Sequence, residues 1–442
     1  MIFNIMTYLM LIVALVCACG TPIAALTRKR RNQWFCVILF NLYLSQLFMY
    51  YPGADVSPYA YVHTMLNQIK FAGMTLSAIF SIVIILFIVI VIFIIHRLRS
   101  RDTLYMMTFI IVPCLIGMAI SGDIGSELDS LMKLLTPFLV CLFLVSCDSQ
   151  LLYQRVTKLI YAVNSMLIVQ VIVCKIFYGQ FAAYNYYYEM AEEYFGYYNH
   201  PHSFTGLLAV LSIYNVYAIN KKEHRAFNAA LLVINVLLMW VSGVRTYVVA
   251  LLVGLVVIGL YSLRSSNMRY LRKYVYAGIF VAAIIGQRIY SSFGAQRVTA
   301  DSSSGRLLRW AMDLSYYRNS FSPFEWILGR GTDAVNDINQ SLFGVSINSL
   351  NMLIDLLLNY GVVGLILIVT AYILLFKHMY SQNEAGFFWG TIAFFVATSM
   401  INSIISYVTI MTMIMLILYV MGNKCNSNSQ LSTSIKIDSI GR

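Results

Sequence analysis

Arginine dominates the chemistry that this chain can offer. Arg297, Arg306, Arg309, Arg318 and Arg330 all fall within residues 291–349, the one long polar stretch between apolar runs, where Trp310, Tyr316, Tyr317 and Trp326 interleave with them. A guanidinium presents a planar fork that matches two phosphate oxygens and keeps its charge at any physiological pH. Ser302-Ser303-Ser304-Gly305 precedes Arg306, and serines in that position read as the start of a helix whose free amides they cap. Arg306, Arg309 and Trp310 then share a face at spacings of three and four. The two arginines suit a diphosphate; Trp310 with Tyr316 and Tyr317 suits stacking on sugar rings. The competing reading is an amphipathic helix lying in the membrane interface, basic toward headgroups and aromatic at their level.

Arg245 stands in a separate turn, Ser242-Gly243-Val244-Arg245-Thr246, between two apolar runs. The turn is too short to lift it far from the membrane surface. An arginine near hydrocarbon is costly without compensation, so it either snorkels to headgroups or meets a phosphate. Gly329-Arg330-Gly331 is a glycine-flanked turn that matches neither the Walker pattern nor the dinucleotide fingerprint. No histidine lies between His224 and His378. A general base in the loop must therefore be a carboxylate, such as Asp301, Asp313, Asp333 or Asp337, or come from another loop. His200-Pro201-His202 lacks a third ligand at useful spacing, so no metal is expected.

The elements that must position these residues are membrane spans. The chain is 60% hydrophobic and 11% charged, with mean hydropathy +0.76, where soluble domains carry about 25% charged residues. Apolar runs near 4–26, 34–50, 71–95, 103–120, 132–147, 157–177, 204–219, 226–241, 246–262, 274–290, 350–376, 386–401 and 404–421 make about 13 candidate transmembrane helices. The last two are also readable as a re-entrant hairpin. The expected fold is an all-α polytopic membrane protein. Residues 1–290 form an N-terminal bundle with short outer loops, 291–349 one large extracytoplasmic loop, 350–421 the C-terminal helices, and 422–442 a disordered cytoplasmic tail.

Charge sets the orientation. With Arg28–Arg31 inside, alternation places about 20 of the 30 lysines and arginines in cytoplasmic loops, as the positive-inside rule expects. Positive charge following rather than preceding the first apolar run argues for a retained span instead of a signal peptide. The net charge of +12 is then anchoring against anionic lipid, and no nucleic-acid motif accompanies it. The eight cysteines show no paired metal spacing and none lies in the large loop. No chain of acids crosses the apolar runs, as a proton-coupled transporter would need.

At this point the order of motifs resembles the O-antigen polymerase (Wzy) and O-antigen ligase superfamily. Ser242-Gly243-Val244-Arg245-Thr246 resembles its Ser-Gly-Ser-Arg-Thr turn at four of five positions. Arg306 to Trp310, Arg318 with ten residues before Gly329, and Gly329-Arg330-Gly331 resemble its large periplasmic loop. Asn199-His200-Pro201-His202-Ser203 resembles its Asn-Pro-Asn entry to a helix, and Asn351 through Gly361-Val362-Val363-Gly364 resembles the stretch after the loop. The likeness covers about residues 195–375. The position of the ligase-type histidine falls on Leu350, which favours polymerase over ligase.

The resemblance implies a GT-C-like, inverting, metal-independent glycosyltransferase in the bacterial inner membrane, using no cofactor. Its substrate would be an oligosaccharide on undecaprenyl diphosphate, with a flippase and a chain-length regulator as partners besides membrane lipid. Arg245, Arg306 and Arg309 are the expected diphosphate contacts. Arg288, Arg318 and Arg330 rank second, and Trp310 and the tyrosines at 184–188, Tyr187 among them, are expected to stack on sugars. A ligase, a flippase or transporter, and a mannosyltransferase built on Asp55 are the competing classes.

Overall fold

Uninterrupted apolar sequence becomes helix because lipid leaves backbone amides and carbonyls no partner but each other. The computed structural model describes residues 31–44, 46–47, 70–71, 74–75, 88, 101–122, 124–147, 149–178, 182–185, 191–194, 196, 198, 201–264, 306–344, 348–380 and 384–422. The first elements in chain order are helix α1 (Arg31–Leu44) and a two-stranded antiparallel pair, β1 (Lys70–Phe71) with β2 (Met74–Thr75). Helices α2 (Arg101–Ser121), α3 (Ile124–Ser146) and α4 (Gln150–Tyr178) follow. A second antiparallel pair, β3 (Ala182–Asn185) with β4 (Ala191–Tyr194), precedes α5 (Pro201–Asn220), α6 (Arg225–Val241) and α7 (Arg245–Arg264).

The polar stretch folds into α8 (Arg306–Ser320), α9 (Pro323–Leu328) and α10 (Ala334–Phe343). The chain closes with α11 (Met352–Met379), α12 (Ala385–Ile401), a 3-10 turn at Ile404–Ser406 and α13 (Val408–Gly422).

Six of these helices are long and apolar enough to cross a membrane: α2, α3, α4, α5, α7 and α11. Helices α6, α12 and α13 are apolar but shorter. The expected runs at 4–26 and 274–290 lie outside the described residues. The run at 71–95 starts differently from expectation, because Lys70–Phe71 and Met74–Thr75 pair as strands. The two strand pairs also qualify the all-α expectation. The second pair occupies the tyrosine-rich segment before α5.

Helix α13 sits at the centre. Every residue from Thr409 to Met421 is buried, as a helix apolar on all sides must be when protein surrounds it. At 15 residues it spans about 22 Å, less than the roughly 30 Å of hydrocarbon. Helices α7 and α12 cross where two glycines meet. A Cβ on Gly254 would stand 2.8 Å from the Gly390 carbonyl oxygen, so only glycine allows this approach.

The large loop has a small core of its own. Phe321, Val335 and Ile338 pack with Ile354 and Leu358 of α11, flanked by Trp310, Tyr316, Tyr317 and Leu342. Helix α8 is thereby seated on the bundle, while Leu307, Leu308 and Leu314 remain exposed on its other flank.

Candidate functional site

Three helix starts converge at one end of the bundle. Tight turns at 221–224 and 242–244 make α5 and α7 begin on the same side. Thr205 of α5 donates to Ser242, just before α7, at 2.7 Å. Helix α11 begins there too, its cap tied to the end of α12: Asn351 accepts from the Leu353 and Ile354 amides at 3.0 and 3.4 Å and donates to the Met400 carbonyl at 3.1 Å. Helix N-termini present free amides and partial positive charge, which favours an anion.

The loop arginines join this end. Arg306 Nη1 donates to Thr246 Oγ1 at 3.1 Å, which places the loop against the residue next to Arg245. Arg245 itself is exposed at the first position of α7. Arg309, one turn on from Arg306, reaches the Asn348 carbonyl at 3.5 Å and lies over the Phe343 ring. The indole of Trp310 donates to the Ser349 carbonyl at 2.7 Å and packs against the loop core. The indole N–H is thus engaged in seating α8.

Leu350 turns the chain between these contacts with φ of 60°, a left-handed geometry that is strained for leucine. The turn lets both the amide and the hydroxyl of Ser349 donate to Asp355, while Ser403 reaches the same carboxylate from the α12–α13 joint.

Asp313 is the carboxylate that the fold brings to the arginines. It follows Arg309 by four residues, is fully buried, and neither of its oxygens has a hydrogen-bond partner among the described residues. Burial pushes its carboxyl up to about 7; the Asp355 charge adds to the rise and Arg309 opposes it. Asp333 bonds instead to Asn336 at 3.1 Å, Asp337 is exposed, and Asp301 lies outside the described residues.

Arg330 belongs to a different neighbourhood. It pairs with Glu325 at 2.8 Å, donates to the Ser320 carbonyl at 2.9 Å, and stacks over Phe321 at 4.2 Å. The glycines beside it dock the loop: the Arg330 and Gly331 amides donate to the Leu358 and Asn359 carbonyls of α11 at 3.3 and 2.9 Å. Gly361 opens a kink there with φ of 65°. The glycine motifs around 329–331 and 361 thus form one clasp. Glu127, buried at the start of α3, accepts from the Thr332 amide and hydroxyl and fastens the clasp to the bundle.

Of the remaining expected residues, Arg318 is exposed at the end of α8, and Arg288 and Tyr187 lie outside the described residues. The chain order gave no sign of Asp355 and Asn402 as neighbours of the site; His202, read there as part of a helix entry and of an incomplete metal motif, joins them. Asn402 Nδ2 lies 3.2 Å from His202 Nδ1 and donates to the Tyr247 hydroxyl at 3.2 Å. Among the described residues no group of three histidine, cysteine, aspartate or glutamate side chains could hold a metal ion. No family model and no curated protein sequence matches the chain.

Proposed function

We propose that the chain is a glycosyltransferase of the outer face of the bacterial cytoplasmic membrane. It joins oligosaccharide repeat units carried on undecaprenyl diphosphate into O-antigen or a similar surface polysaccharide. The observation that carries this reading is the 3.1 Å bond from Arg306 to Thr246. It links the two segments whose motifs are separated by sixty positions and sets Arg306 beside the turn that holds Arg245, with Arg309 one helical turn further on. Apolar helices long enough to cross a membrane surround that end. A polyprenyl carrier would lie in the bilayer with its diphosphate at this level.

In the reaction, a hydroxyl of the acceptor unit attacks the anomeric carbon of the donor. The new C–O bond forms as the anomeric carbon–phosphate oxygen bond breaks, and the diphosphate leaves with the electron pair. Arg245, Arg306 and Arg309 neutralise the charge that grows on it, in a setting where preorganised cationic donors act strongly. Asp313 accepts the hydroxyl proton. A carboxyl held near 7 is poised for that exchange at physiological pH. Polymerase is favoured over ligase because Leu350, at the ligase histidine position, has no titratable nitrogen.

The test is genetic and chemical together. In cells making the cognate polysaccharide, Arg306→Ala should abolish long chains while single repeat units still reach the final acceptor and protein level is kept. Long chains of normal length in that variant would overturn the diphosphate assignment. Loss of single-unit transfer as well would point to ligase.

A further inference from the structure

Helix α6 buries Asn228, Leu231, Asn235 and Met239. Their spacing of three, four and four places them in one stripe of the helix. The opposite side is exposed and apolar, with Val233, Val236, Leu237 and Trp240 among its residues, as suits a helix facing lipid. The stripe turned into the bundle is half amide, the reverse of what an apolar core needs.

Helices α4 and α5 bring amides to the same seam. Asn164 of α4 donates to Asn215 of α5 at 3.4 Å, and Asn228 donates at 3.0 Å to the hydroxyl of Tyr161, one turn before Asn164 on α4. Helices α5 and α6 run antiparallel across the 221–224 turn, and at their other ends Thr205 meets Ser242 at 2.7 Å. About two turns inward from that contact on each helix stand Ser212 and Asn235. The asparagines therefore follow one another along the inside of the three helices.

All four are fully buried, and their hydrogen bonds are incomplete. The amide oxygens of Asn164, Asn228 and Asn235 and the amide nitrogens of Asn215 and Asn235 have no partner among the described residues. Such groups are costly inside a bundle set in hydrocarbon, where only internal partners can meet them. The mixture says what kind of partner fits. A cation would serve the oxygens and be repelled by the N–H₂ groups, and an anion would do the reverse. Water donates and accepts, so it serves both.

We propose that the seam between α4, α5 and α6 is a binding site for ordered water, a short file held by Asn164, Asn215, Asn228 and Asn235. This lies outside the arginine site and does not depend on the polymerase reading.

The experiment is X-ray radiolysis of the full-length protein in lipid nanodiscs, which makes hydroxyl radicals from bound water and labels the side chains it touches. Leu231, between Asn228 and Asn235 on the stripe, should be labelled about fivefold more than Leu416 and Leu418, which are buried in α13. Asn235→Leu, close in volume, should cut the labelling of Leu231 about threefold and lower the unfolding temperature, because the water loses partners. Labelling of Leu231 in wild type at the level of Leu416 overturns the proposal, and this arm stands even if the variant does not fold. A rise in the unfolding temperature of Asn235→Leu also overturns it, since a dry seam gains when an orphaned amide is removed.

Discussion

Arg309 and Arg330 lie in the same loop and face opposite circumstances. Arg330 is supplied with everything a guanidinium needs: a carboxylate, a carbonyl and two aromatic faces. Arg309 has one long bond to a carbonyl, an aromatic ring, and no carboxylate within salt-bridge distance among the described residues. An acid that bears on it, Asp313, has no hydrogen-bond partner among the described residues and is held up to about 7. A guanidinium with its own anion stabilises the loop; one without is available for an anion that arrives with a ligand. On the proposed reading, the difference separates residues that build the site from residues that use it.

The largest effect should come from removing the second kind. Arg309→Ala should lower polymerisation per molecule about a hundredfold or more, the scale of a lost preorganised donor to developing charge, at unchanged protein level. Arg330→Ala should do the reverse, lowering the amount of folded protein and sparing turnover of what remains. Chain-length profiles normalised to immunoblots check both. Equal loss of turnover in the two variants would erase the distinction.

Asp313 sharpens the same contrast through pH. As the proposed base it would work deprotonated, so activity should rise with pH through about 7 and level off above. Asp313→Asn should cost about a hundredfold in rate and remove that rise. Stability should move oppositely. A carboxyl raised on folding contributes stability below its unfolded value near 4, which is lost as pH climbs through 7. The asparagine variant should therefore unfold at a higher temperature than wild type at pH 8 and match it near pH 4. A variant less stable than wild type at pH 8 would give Asp313 a structural role instead.

A smaller effect is expected at the clasp. A Cβ on Gly361 would stand 2.4 Å from the Ile327 carbonyl oxygen, and one on Gly329 would stand 2.2 Å from that of Asn359. Both positions also have positive φ. Gly361→Ala should destabilise by about 1–3 kcal/mol and loosen the loop, read as faster proteolysis within 306–343. Wild-type resistance would mean that the loop is held chiefly by its apolar contacts.

How much of this was legible in the chain order depends on the range of the interaction. Runs such as 157–177 and 404–421 announce helices because lipid imposes one rule on every apolar stretch, and α4 and α13 lie where those runs place them. The juxtaposition of Arg306 with the 242–246 turn was readable only through motif order, since sixty positions separate the two. Trp310 and Arg330 looked like ligand contacts because an aromatic or a guanidinium advertises the same chemistry whether it meets a sugar or its own backbone. For both residues the fold supplies an internal partner that chain order does not announce. Asp313 stood among four equivalent acids; its distinction is burial against α11, which spacing within the loop does not encode. His202 was read as part of a helix entry and of an incomplete metal motif, and neither reading encodes its contact with Asn402, two hundred positions away.

The smallest effect tests the other side of the comparison. Glu325 is held down to about 2, first by the hydrogen bond from Arg330 and then by the Ser322 amide of its capping box. A depressed carboxyl contributes stability above its unfolded value near 4.3, and that contribution is lost as pH falls toward 2. The pair is partly exposed, with side chains 29% and 27% accessible, so solvent screens it and about 0.5–1 kcal/mol is expected. Glu325→Gln should therefore lower the unfolding temperature slightly at pH 7 and leave it unchanged near pH 2, with the ratio of long to short chains unaltered at pH 7. A change in that ratio would mean that Arg330, once released from Glu325, reaches the substrate. The line between arginines that build the site and arginines that use it would then be set by Glu325 and not by the fold.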